Sequence, residues 1–232
     1  MAMRNEAETC AGKMYLIRIT AAVLIFAFAV SVLASCGSES TSDQTIDAQE
    51  AGIYNEIIEM FCDGIENGWE SYEDSDDLSY LWYQYGIAES LSDAGYAFID
   101  IDENGMEELL VGLVSDAEEG IIYDLYTYED GSVVHLASGG ERWTYRLCAN
   151  GYIGYEGADS ASEGSYAFYS ISGFDLVLEG CLSYVYDDDS NVTWMYQADA
   201  DSESDVVTET EADLFISSFN AQEYELITFA EY

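Results

Sequence analysis

Proline is absent, histidine occurs once, and no lysine follows Lys13. The missing proline removes one device for protecting sheet edges and leaves that task to surface carboxylates. With His135 as the only imidazole, a hydrolytic triad has to run through it, and Val133-Val134-His135-Leu136 reads as a strand or core setting. The shortage of cations excludes most. Nucleic acid and anionic lipid are bound through positive surface that releases counterions, and here 5 Lys+Arg face 47 Asp+Glu, a formal charge of −42. Divalent cations are the natural counterparts of such a field, because self-repulsion destabilises the compact state and bound or atmospheric ions relieve it. Most of the carboxylates are expected to form a solvated, repulsive surface.

Three of the five cations stand at the start, where Arg4, Lys13 and Arg18 precede an apolar run from Ile19 to Leu33 and then Ala34-Ser35-Cys36. A positive flank, a short apolar segment and small residues before a cleavage point make a secretory signal. The run is shorter than the ~20 apolar residues of a spanning helix; an uncleaved anchor or plain secretion are the alternatives. Leu33-Ala34-Ser35-Cys36 resembles the lipobox of bacterial lipoproteins. That resemblance implies cleavage before Cys36, lipidation of its thiol and an extracytoplasmic protein held at the cell membrane, since two acyl chains suffice for stable anchoring. Removing residues 1–35 also removes Glu6 and Glu8, leaving Arg142 and Arg146 as the only cations of the mature part.

Beyond the leader the chain is not disordered in composition: 49% hydrophobic residues and 20 tyrosines are enough to build a core. Three regions are expected: the lipoprotein signal peptide over 1–35, a flexible Ser/Thr/Asp/Glu-rich tether over 36–46, and one α+β domain over 47–232. The domain divides into a helical part (47–95), a β-rich part (96–198) and a closing helix and strand (207–230). Asp47 with Glu50 forms a capping-box-like start; Ile53, Ile57, Phe61 and Ile65 then recur every four residues until Asn67-Gly68, with Glu56 and Glu59 outward. Leu78, Leu81, Trp82 and Tyr85 suggest a second helix. From Tyr96 onward, apolar runs alternate with turn signals about ten residues apart, predicting a long antiparallel meander. Its strands fall at 109–114, 121–128, 133–138, 143–148, 165–171, 174–178, 183–186 and 192–196. Thr208-x-x-Glu211 before Leu214, Phe215 and Phe219 predicts a capped helix, and 226–229 a last strand. Of the remaining cysteines, Cys148 and Cys181 are candidates to pair, leaving Cys62 on an apolar helix face. No cysteine spacing reads as a zinc site.

One loop carries a pattern with chemistry. Asp100-Ile101-Asp102-Glu103-Asn104-Gly105-Met106-Glu107-Glu108 is D-x-D-x-N-G-x-x-E. Oxygens at alternate positions converge when glycine lets the chain turn sharply, so Asp100, Asp102, Asn104, the Met106 carbonyl and Glu108 are the candidate ligands of one hard cation, best matched by Ca²⁺. The spacing resembles the first nine positions of an EF-hand loop, with Val111 where the twelfth-position acid belongs. Flanked by strands, it resembles more closely the D-x-D-x-D-G-x-x-D calcium hairpins of integrin-type propeller repeats, with Asn104 and Glu108 at two ligand positions. An affinity of about 10⁻⁴–10⁻³ M is expected, as in extracellular modules. The bland alternative is that Asn104-Gly105 is a two-residue hairpin turn.

The chain as a whole resembles a family of uncharacterised secreted proteins and lipoproteins of anaerobic, largely gut-dwelling Gram-positive bacteria. The likeness rests on the lipobox, Tyr96-Ala97-Phe98-Ile99-Asp100-Ile101-Asp102, Glu108-Leu109-Leu110-Val111-Gly112, Gly151-Tyr152-Ile153 and Ser165-Tyr166. It implies an exported location and no activity. Arg142 and Arg146 share strand parity and project from one face, either as internal ion pairs or as a grip on a carboxylated ligand. The aromatic residues Tyr126, Tyr128, Tyr184, Tyr186, Trp194 and Tyr196 are expected to pack across strands, the alternative being recognition of a glycan or peptide. The sequence therefore points to a lipid-anchored binding or structural module stabilised by calcium. A carboxylate-dependent hydrolase is the weaker alternative, since among so many acids a catalytic pair has no distinguishing spacing.

Overall fold

The computed structural model describes residues 48–232 apart from 73, 74 and 76. The signal segment, Cys36, the tether and the Asp47 cap lie outside the described residues. Helix α1 (Ala48–Asn67) is followed by the short α2 (Tyr80–Tyr85). Strands β1 (Ala94–Ile99), β2 (Glu108–Leu113), β3 (Ile121–Ile122), β4 (Asp124–Glu129) and β5 (Ser132–Ser138) come next. Then follow β6 (Trp143–Leu147), β7 (Ile153–Ala158), β8 (Glu163–Ser172), β9 (Asp175–Tyr186), β10 (Val192–Gln197) and β11 (Asp205–Val207). Helix α3 (Glu209–Ser217) and β12 (Ile227–Thr228) close the chain. Among the described residues the protein is thus mixed helix and strand, mostly strand.

The expected single meander is two antiparallel sheets, ordered β12-β1-β2-β4-β5 and β11-β10-β9-β8-β7-β6-β3. The division falls inside the run 121–128, which reads as one strand. Ile121 and Ile122 pair with β6, whereas Asp124 onward pairs with β2 and β5. Tyr123 is the corner; its N–H still donates to Val111 O (2.9 Å) while its carbonyl accepts from Gly139 N–H (2.8 Å). The expected strands 174–178 and 183–186 are one strand, β9. Phe168 pairs with Gly180 and Tyr169 with Leu178, so Glu179 is the extra residue of a bulge that bends β9 without ending it. Three of the four sheet edges, β3, β11 and β12, are only two or three residues long, which blunts them as much as charge does.

Alternation along the strands builds the layers. On β2, Leu109 and Val111 face α1 and pack with Tyr54, Ile58, Phe61, Trp82, Tyr96, Tyr126 and Phe229. Leu110, on the opposite face with Ala97 and Leu125, meets Ile122, Leu147, Ile153 and Ile171 of the second sheet. The far side of that sheet is partly covered by α3, where Phe215 and Phe219 lie against Phe168 at centroid distances of 5.4 and 4.1 Å. The buried face of α1 is centred on Tyr54, Ile58 and Phe61; of the predicted four-residue stripe Phe61 lies in it and Ile53, Ile57 and Ile65 flank it, because a 3.6-residue repeat drifts off strict four-residue spacing. Gly68, at φ +94°, ends α1, and Gly64 leaves the space that the Trp69 ring occupies. The α3 capping box forms between Thr208 and Glu211 as read from sequence, but Leu214 is 65% exposed and only Ala212 is fully buried there. Cys148 and Cys62 carry free thiols, so the expected Cys148–Cys181 pair does not form.

Candidate metal centre

Strands β1 and β2 end their ladder at Ile99–Glu108, so residues 100–107 form an eight-residue connection and not a two-residue Asn104-Gly105 hairpin. The loop is held by its own short polar side chains, as Asx turns are. Asp102 Oδ1 accepts from Asn104 N–H (3.1 Å), Asn104 Oδ1 from Met106 N–H (2.7 Å) and Asp100 Oδ2 from Gly105 N–H (3.0 Å). Glu103 at φ +58° and Gly105 at φ +91° supply the two left-handed residues that fold the loop back on itself.

This folding brings together the three acidic members of the predicted ligand set. Carboxylate oxygens of Asp100, Asp102 and Glu108 all lie within 4.8 Å of one another. Asn104 donates from Nδ2 to Asp102 Oδ2 at 2.9 Å. Met106 is held through its N–H. Glu108 is 0% exposed, although it opens a strand and follows another acid. Ladder parity explains this, because Glu108 shares its face with Leu110 and stands beside Ile99 and Thr127. Its oxygens accept from Ile101 N–H (2.9 Å) and Thr127 Oγ1–H (3.1 Å). Burial pushes its carboxyl up to about 7, and the charges of Asp102 and Asp100 add to the rise against those two donors. Asp100 Oδ1 is buried with no hydrogen-bond partner among the described residues, a rare state for an acceptor enclosed in protein. Beside the loop opens a groove of about 650 Å³ between the sheets, lined by Asp100, Asp102 and Glu103 on one side and by Asn150, Ser170 and Gln222 on the other.

A second polar cluster lies under α2, and sequence reasoning missed its centre. Asp124 is 0% exposed and accepts from Ser79 N–H (2.7 Å), Trp82 Nε1–H (2.6 Å) and Ser138 Oγ–H (2.8 Å), with His135 Nε2 at 3.0 Å. Burial raises its carboxyl above the usual range, while His135, Trp82 and Ser138 oppose the rise. The signal was a carboxylate inside the apolar run 121–126, where an outward position would have been assumed. Ser138 Oγ also lies 3.0 Å from His135 Nε2. A hydrolytic relay uses the two ring nitrogens for different partners; here one nitrogen meets both the acid and the hydroxyl, a geometry for holding α2 to the sheet. The Tyr126 ring stacks on His135 at 4.7 Å.

The arginines diverge in their surroundings. Arg146 lies 3.7 Å from Glu119 and 3.8 Å from Glu156, and donates to the Glu119 carbonyl at 3.3 Å. Arg142 is exposed and makes no ion pair among the described residues. The aromatic residues split between the sheets: Tyr126 is buried in the first, and Tyr184 and Trp194 pack at 5.3 Å on the second. No protein-family model, curated protein or solved structure matches the chain.

Proposed function

We propose that the protein is an extracytoplasmic module, anchored through a lipid on Cys36, whose Asp100–Glu108 loop takes up calcium as a structural ion. The observation that carries the metal reading is the convergence of Asp100, Asp102 and Glu108 around a buried Asp100 Oδ1 that no donor addresses. Three acids at this separation repel one another, and a hard divalent cation would relieve that repulsion and give Asp100 Oδ1 a partner. Such an ion would fix the β1–β2 connection and cancel local charge in a chain of −42. The leader supports the location: a basic flank, a short apolar run and Leu33-Ala34-Ser35-Cys36 follow the order that export and lipidation require. Among the described residues no helix is long and apolar enough to cross a membrane.

The carboxylates are assigned a structural and not a hydrolytic part, because a general acid must reach the bond it protonates and Glu108 is enclosed. Thermal melts in calcium, in magnesium and in chelator test the metal reading. Calcium is expected to raise the midpoint, magnesium to raise it less, and Asp102→Ala to remove the difference. A wild-type midpoint indifferent to calcium rejects it. The location is tested by metabolic labelling with a fatty acid in a bacterial host, where label lost in Cys36→Ser supports it and an unlabelled, unprocessed cytosolic chain rejects it.

A further inference from the structure

The outer face of the second sheet carries a trough that owes nothing to the metal loop. Ladder pairing places Ala158 beside Gly164 and Gly164 beside Tyr184, while Ala158 N–H donates to the Arg142 carbonyl at 2.8 Å. Across four strands, one row therefore reads Arg142, Ala158, Gly164, Tyr184. Its middle is almost without side chains and its ends are a guanidinium and a phenol. The strand spacing of ~4.8 Å puts the Cα atoms of Arg142 and Tyr184 about 14 Å apart. The neighbouring row reads Thr144, Glu156, Tyr166. Together with Arg146 they enclose a depression of about 420 Å³, within the usual size of a small-ligand site of ~300–1,000 Å³. Gly164 matters to its shape: a Cβ there would lie 2.5 Å from the Tyr184 hydroxyl, so the phenol leans inward across β8 only because that position is bare. The Tyr166 and Tyr184 rings stand 6.3 Å apart, tilted by 38°.

The charge of this trough is the exception among the described residues. Arg142 and Arg146 are the only cations among the described residues, and both line it. Arg146 is already held by Glu119 and Glu156. Among the described residues Arg142 makes no ion pair, and the adjacent Glu141 accepts from the Tyr85 hydroxyl instead. In a chain with 47 acids, an exposed guanidinium that no carboxylate captures presents a free planar fork of donors matched to a carboxylate. The surrounding field repels polyanions, so the ligand has to carry one negative charge on a body that gains from two phenol faces and from hydroxyl partners. Glu156 and the hydroxyls of Thr144, Tyr166 and Tyr184 supply those partners.

We propose that this trough binds a monocarboxylated sugar of the uronic-acid class, its carboxylate on Arg142 and its ring against Tyr184 and Tyr166. The inference is independent of calcium and is tested in chelator. Methyl glucuronide, methyl glucoside and an N-acetylated dipeptide are titrated into the protein, with binding followed by tyrosine ring resonances in NMR. The glucuronide is expected to bind at least tenfold more tightly than the glucoside, to shift Tyr184 and Tyr166 signals, and to lose that preference in Arg142→Gln. Arg142 is exposed, so this variant is expected to melt with the wild type. Equal affinity for glucuronide and glucoside, or a preference that survives Arg142→Gln, overturns the proposal. A dipeptide that binds as tightly as the glucuronide also overturns it, because the carboxylate alone would then be recognised.

Discussion

Asp124 and Glu108 are both fully buried on strands of the first sheet, yet one is richly supplied with partners and the other is not. Backbone, indole and hydroxyl donors and the only imidazole of the chain converge on Asp124. Glu108 has one amide and one hydroxyl, with the charges of Asp100 and Asp102 pressed against it. Burying a charge is unfavourable unless it is paired and hydrogen-bonded. The chain meets that requirement for Asp124 from within, using residues separated by up to 45 positions. At Glu108 it leaves the requirement open, at the rim where β1 and β2 part beside the groove between the sheets.

The contrast is broken most severely at its satisfied end. Asp124→Ala leaves several buried donors without an acceptor and is expected to cost about 3–5 kcal/mol in urea denaturation, the range for removing one partner of a buried pair; a loss under 1 kcal/mol would mean that water replaces the carboxylate. The next effect is one of pH at the unsatisfied end. Glu108 has a folded-state pKa near 7, above the ordinary value, so without calcium the native state holds its proton longer than the unfolded chain does. Its contribution is then fully present below about pH 4.5 and is lost as pH rises to about 7, on the order of 2–3 kcal/mol. Denaturation in chelator at pH 5 and pH 8, in wild type and Glu108→Gln, isolates that loss as the part absent from the variant. Calcium is expected to reverse the trend, because as a ligand Glu108 would have to be ionised. At ten times its Kd the ion stabilises by roughly 1.4 kcal/mol, seen as a midpoint several degrees higher at pH 8 and little changed at pH 5; a shift equal at both pH values would exclude Glu108 as a ligand. The smallest effect is expected from Thr127→Val, which removes one hydroxyl donor and should cost about 1 kcal/mol in chelator at pH 8 and less at pH 5.

Much of this architecture is legible in the amino-acid order. The strands past Tyr96 follow their alternation and turn residues, the α3 cap is written in Thr208-x-x-Glu211, and the D-x-D-x-N-G-x-x-E spacing marks the loop that collects three carboxylates. What escapes is long-range. The run 121–128 has no glycine or other turn residue at Tyr123, so nothing local announces that its two ends belong to different sheets. The bulge at Glu179 is set by pairing with β8, and a local reading takes it for a strand end. The buried carboxylates are the most instructive case. An acid in a strand reads as an outward residue, and only the partners brought by α2 and β5, or the parity fixed by β1 and β4, turn Asp124 and Glu108 inward. The local role of Asn104 also goes unread: its side chain accepts from Met106 N–H within the loop.

The measurement that bears most directly on the under-neutralised loop is the melting of Glu108→Gln at pH 8, with and without calcium. The substituted amide can still accept from Ile101 N–H and meet the Thr127 hydroxyl while removing one of three clustered charges. The variant is expected to melt above wild type in chelator and to show no calcium shift. A variant that melts below wild type in chelator and keeps the full calcium response would contradict the account.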